Sequence, residues 1–105
     1  MTNLTNDTIE QFINSNPVVF IQYGSLWCQP CKMIKKRMPD IQKGFDLISF
    51  GYVDVDEAQQ HDRVKELRLM AVPTFAIYHN GKLVKSQPTS DENVIIAMLN
   101  DARKL

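Results

Sequence analysis

No stretch of this sequence is apolar enough to cross a membrane as a helix. Runs such as Val18 to Ile21 fall far short of the roughly 20 residues a span needs. Charge of one sign is also missing: Lys plus Arg and Asp plus Glu each number 12, which argues against a general nucleic-acid binder. The first residues, Met1-Thr2-Asn3-Leu4-Thr5-Asn6-Asp7, carry neither the basic nor the apolar segment of a secretory signal. The expectation is a cytoplasmic chain with no membrane and no nucleic-acid partner. Cysteine is scarce, with only Cys28 and Cys31. In a reducing compartment two cysteines point to redox chemistry or metal binding rather than to a structural staple. No internal repeat, low-complexity tract or linker interrupts the chain.

What is present suits one domain over residues 1–105, with 44% hydrophobic and 23% charged residues. A chain of this size can bury one core without staples. Asp7 to Asn14 reads as a short helix capped by Asp7, with Ile9, Phe12 and Ile13 on one face. Val18 to Tyr23 reads as a buried strand. A helix is expected from near Cys28 toward Gly44, with Pro30 in its first turn and Pro39 kinking or ending it. Ile48 to Val55 predicts a strand, Glu57 to Leu69 a helix and Thr74 to Tyr78 a strand. Asn80-Gly81 signals a hairpin returning through Lys82 to Gln87. Thr89 to Glu92 reads as a capping box for a last helix that turns Ile95, Met98, Leu99 and Ala102 inward. A βαβ half followed by a hairpin and a helix implies a three-layer α/β/α sandwich on a mixed sheet.

The chemistry centres on Trp27-Cys28-Gln29-Pro30-Cys31-Lys32. Two cysteines at this spacing can close a small disulfide ring at a helix start. There the free N–H groups and the helix dipole favour a thiolate on the first. Cys28 would attack a substrate disulfide, and Cys31 would then attack Cys28 and release the reduced product. Pro30 stiffens the ring. A zinc half-site is the competing reading. It needs two more ligands, and only His61 and His79 remain, at a separation that fits no usual pair.

The segment Trp27 to Lys32 resembles the active site of the thioredoxin family, which usually has Gly where Gln29 stands. Val53-Asp54-Val55-Asp56 resembles the family's third strand. Val72-Pro73-Thr74-Phe75 followed by Asn80-Gly81-Lys82 resembles its cis-proline segment and hairpin. The likeness runs from about Leu4 to the end and implies the thioredoxin fold, with the first strand short or absent. It also implies that Pro73 follows a cis bond and lies against Cys28, and that the backbone at Val72, before Thr74, pairs with a substrate strand.

The chain departs from the family pattern beneath the cysteines. Gln22, six residues before Cys28, stands where thioredoxins bury an Asp, and Tyr52 stands where they carry a Lys. The joint replacement avoids burying one charge without its partner. Gln22 cannot relay a proton to or from Cys31, so resolution would rely on water or on Cys28 itself. Gln29, and Thr89 after Pro88 in place of a family glycine, add bulk beside the expected groove. Lys32, Lys35, Lys36, Arg37 and Lys43 make the active-site helix basic, which is either a solvated face or a means of steering acidic partners. Trp27 packs over the disulfide ring, contacts substrate or joins the core. Met33, Met38, Met70 and Met98 are expected to fill the core, and neither histidine is assigned a catalytic role.

The resemblance implies a monomeric protein-disulfide reductase with no bound cofactor. It would be re-reduced with electrons from NADPH through a thioredoxin reductase and would act on protein disulfides. An oxidase or isomerase running the same thiols in reverse, and a specialised thioredoxin-fold binding module, remain the alternatives.

Overall fold

The computed structural model describes residues 1–105. The elements are β1 (Thr2–Leu4), α1 (Ile9–Ser15), β2 (Val18–Gly24), α2 (Gln29–Gln42), β3 (Ser49–Asp54), α3 (Asp62–Leu67), β4 (Thr74–His79), β5 (Lys82–Pro88) and α4 (Glu92–Ala102). The sheet has five strands in the order β1-β3-β2-β4-β5. β1 and β2 flank β3 in parallel, while β4 runs antiparallel to both β2 and β5. The first strand is thus present, at three residues.

Alternation along the central strands sorts the core into two layers. Phe20, Phe50, Phe75 and Ile77 face α2 and α4, where they meet Met38, Ile95, Met98 and Leu99. Val19, Ile21, Tyr23, Val53, Ala76 and Tyr78 face α1 and α3. β2 is buried along its whole length, which is why it reads as a continuous apolar run. By the same parity Gln22 and Tyr52 lie on the α2 side, directly paired in the β2–β3 register.

Several local expectations are corrected. α1 is not capped by Asp7. Thr5 Oγ1 accepts from the Asp7 N–H and Thr8 Oγ1 from the Thr5 N–H, so the helix starts from a Thr5–Thr8 turn. Of the two outcomes expected at Pro39, ending is excluded: α2 continues toward Gly44 as far as Gln42, with Met38 and Ile41 buried on either side of the proline. The helix expected over Glu57 to Leu69 is only Asp62–Leu67. The Asp54 carboxylate accepts from the Asp56 N–H and holds a turn there, and His61 caps the helix through Nδ1. α4 is capped by Asp91, which accepts from the Asn93 N–H, rather than by Thr89. Met38 and Met98 are buried, but Met33 and Met70 are exposed.

Candidate active site

Because β2 and β4 are antiparallel, the exit of β2 and the entrance of β4 lie side by side, with Tyr23 opposite Thr74. The end of β3 joins them through the Gly24–Asp54 pair, and the end of β5 through Thr74–Pro88. The loop carrying Cys28 and the loop carrying Val72 and Pro73 therefore meet at one end of the sheet.

Cys28 is the N-cap of α2 and is bonded to Cys31 as a disulfide. The Cys31 N–H points at Cys28 Sγ from 3.2 Å. The dipole of a fourteen-residue helix points the same way, so charge on this sulfur is stabilised where it develops. Cys28 is 5% exposed and Cys31 1%, so a partner reaches Cys28 first. Gln29 and Pro30 occupy the first two helical positions, where a missing N–H is harmless. Both side chains are exposed, as is that of Lys32.

The Val72–Pro73 bond is cis, and Val72 O lies 3.6 Å from Cys28 Sγ. Val72 makes no backbone hydrogen bond inside the chain, whereas Pro73 O accepts from the Thr89 N–H. Thr74 Oγ1 donates to Ala71 O at 2.7 Å and closes the turn that presents Val72. Pro30, Val72, Pro73, Pro88 and Thr89 line one shallow groove. Trp27 is not core: it is 71% exposed, with Nε1 donating to Asp56 Oδ2 at 3.0 Å.

Beneath the disulfide, Gln22 is fully buried and Nε2 donates to Cys31 O at 3.1 Å, while Oε1 has no partner. Tyr52 is buried beside it, with the Lys35 ammonium 3.8 Å above its ring. Burial, then the charges of Asp54 and Asp56, hold the Tyr52 phenol above its ordinary range. The basic face of α2 divides. Arg37 pairs with Glu92 and Asp40, and Lys43 with Asp40, while Lys32 and Lys36 carry no ion pair. His61 and His79 serve a helix cap and the hairpin. Nowhere do three metal-binding side chains gather, so a zinc half-site at Cys28 and Cys31 lacks its other ligands. A second groove, between β1 and α1, is lined by Thr2, Leu4, Thr8 and Phe12 among others and contains no titratable side chain.

Gly24, Ser25 and Ala71, whose carbonyl accepts from Thr74, were not singled out from the sequence, and Asp56 was read only as part of a strand motif. Only the position of Gly24 and Ser25 just before the Trp27 to Lys32 segment could have pointed to the first two.

The thioredoxin family model matches residues 1–101. Thioredoxin-3 of Dictyostelium discoideum is 30% identical over 90% of this chain and 88% of its own length. Thioredoxin of Coprinus comatus is 32% identical over 85% and 88%. Among solved structures, oxidised mitochondrial thioredoxin 3 from Saccharomyces cerevisiae superposes with a TM-score of 0.85 at 28% identity, covering 96% of this chain and 94% of that one. The paired sulfurs at the cap of α2 act as a thiol–disulfide oxidoreductase, a protein-disulfide reductase. By sequence, by fold and by its redox pair, the chain belongs to the thioredoxin family.

Proposed function

We propose that this chain works as a monomer in the cytoplasm, carrying electrons from NADPH, through a thioredoxin reductase, to disulfides of other proteins without a bound cofactor. Reduced Cys28 attacks the substrate disulfide, and one substrate sulfur leaves as a thiolate. Cys31 then attacks Cys28 Sγ, reforms the Cys28–Cys31 bond and expels the second substrate sulfur. Two electrons pass to the substrate, and the proton lost by each cysteine balances one gained by a departing thiol. The backbone of Val72, with Pro73 and Thr74 fixing it, holds the substrate as a short added strand. The exposed Trp27 and Gln29 border that strand.

The observation that carries this reading is the position of Cys28 Sγ, at a helix N-terminus and beside a carbonyl that accepts no backbone hydrogen bond in the chain. Dithiothreitol-driven reduction of insulin disulfides at neutral pH tests it. Wild type should turn over, Cys28→Ser should be inactive, and Cys31→Ser should accumulate a mixed disulfide. NADPH oxidation coupled through a thioredoxin reductase tests the electron source. A folded wild type inactive toward insulin would overturn the reading.

A further inference from the structure

Gly24 is where the strand that carries Gln22 passes closest to the resolving sulfur. A Cβ built on Gly24 would stand 2.9 Å from Tyr52 Oη and 3.2 Å from both Cβ and Sγ of Cys31. The missing side chain thus leaves a phenol hydroxyl and a buried sulfur bordering one space, too small for a methyl group. Any other residue at this position would wedge them apart. Gln22 is neutral and engaged with the Cys31 carbonyl. Lys35 from α2 lies over the face of the Tyr52 ring, and Asp54 and Asp56 at the end of β3 act on Tyr52 only through their charge.

We propose that Tyr52 is a positioning residue for the resolving step, its hydroxyl donating a hydrogen bond to the Cys31 sulfur as that sulfur becomes a thiolate. This deepens the reductase reading and rests on it. When Cys28 is tied to substrate, Cys31 is free and must lose its proton before it can attack. The attack forms the Cys28–Cys31 bond, breaks the bond from Cys28 to substrate and moves the electron pair onto the substrate sulfur. The proton lost by Cys31 balances the one that sulfur gains. Tyr52 keeps its own proton throughout, which its raised titration range ensures at neutral pH. A neutral donor does part of the work that a buried carboxylate cannot do here. It makes the thiolate easier to form without being titrated itself.

The test uses Cys28→Ser protein, in which Cys31 is the only thiol, and follows its alkylation by iodoacetamide against pH. Hydrogen bonds to charged groups are worth about 1.5–3 kcal/mol, so Tyr52→Phe should move the midpoint of that profile up by about one unit or more. In the intact dithiol protein the same substitution should slow release of reduced substrate from the mixed disulfide by about tenfold near neutral pH. Phenylalanine keeps the ring under Lys35, so only the hydroxyl leaves. Gly24→Ala, which drives a methyl between hydroxyl and sulfur, should move the midpoint in the same direction with Tyr52 intact. A purely structural role for Tyr52 would lower the melting temperature and leave the midpoint alone. That result, in a folded Tyr52→Phe protein, overturns the proposal. The midpoint is read without any protein substrate, so its outcome is independent of whether the wild type reduces insulin.

Discussion

The side-chain amide of Gln22 reaches 3.1 Å to the carbonyl of Cys31, tying the middle strand of the sheet to the first turn of the active-site helix. The bond is neutral and its other amide atom is unpaired. Gln22→Asp would put a carboxylate into a fully buried site beside uncharged Tyr52 and a backbone carbonyl. Burial raises the carboxyl's titration range. The destabilisation is therefore absent below the ordinary Asp range and complete once pH rises past the raised value. Urea unfolding should show a loss of about 1–3 kcal/mol at neutral pH that recovers on acidification. The insulin-reduction profile should gain a titrating step that the wild type lacks. A pH-independent stability difference would contradict this account.

Arg63 grips Glu10 through Nε at 2.9 Å and Nη2 at 3.0 Å, joining α3 to α1. These bonds, with one from Asn14, lower the Glu10 carboxyl to about 2. A lowered carboxyl stabilises the fold above its unfolded range near 4.5, and the contribution disappears as pH falls through about 2. Glu10 is 54% exposed, so solvent screening keeps the pair's worth to roughly 1 kcal/mol or less. Thermal unfolding of Arg63→Ala should show a drop of a few degrees at neutral pH that closes toward pH 2. A gap of constant size would assign the effect to packing of Arg63 against Tyr78 instead.

All three tyrosines, Tyr23, Tyr52 and Tyr78, are held above the ordinary phenol range, each chiefly by burial. Tyr23 and Tyr78 share a buried hydroxyl pair at 2.5 Å. Phenols raised in this way stabilise the native state below their unfolded range, and that stability is lost as pH rises through the folded values. An ultraviolet titration should show no tyrosinate near pH 10 while the protein is native, then a joint rise on alkaline unfolding. Tyr78→Phe should cost about 1–2 kcal/mol by leaving the Tyr23 hydroxyl without a partner. A native-state phenol step near pH 10 would refute the burial argument.

Gly81 has φ +82°, and a Cβ there would stand 2.5 Å from Asn14 Oδ1, on a side chain that also bonds Glu10. Gly81→Ala meets both the left-handed penalty and this contact. Chemical denaturation should show a loss of about 1–2 kcal/mol, accompanied by a smaller acid dependence as Glu10 loses its Asn14 bond. An unchanged midpoint would mean that the hairpin shifts freely.

The parts of the fold that could be read in the sequence were those set by strong local chemistry. The Asn80-Gly81 turn lies in the left-handed region as its residue types demand. The apolar run of β2 is buried on both faces. Cys28 sits at a helix cap with Pro30 just inside. What stayed hidden depended on side chains competing for backbone groups. The Asp54 carboxylate diverts Asp56 into a turn and shortens α3, and Asp91 takes the cap that Thr89 promised. Pro39 stays inside α2 because tertiary burial of Met38 and Ile41 outweighs one lost bond. At the site, the cysteines and the Val72–Pro73 segment were legible. That Tyr52 and Cys31 border one space at Gly24 was not, since it depends on the absence of a side chain there, which no local pattern reveals.

The two flanks of the sheet also bear on what can attach to it. One is β1, only three residues long. The other is β5, which carries Lys82 and Lys85, follows a register shift at Ile77 and Tyr78, and ends in Pro88. Short length, lysine and proline each make a flank a poor template for another chain. Stacking of copies edge to edge, the route to fibres, is disfavoured on both sides. An extended segment of another protein paired at the backbone of Val72, as proposed, would instead lie beside a sulfur.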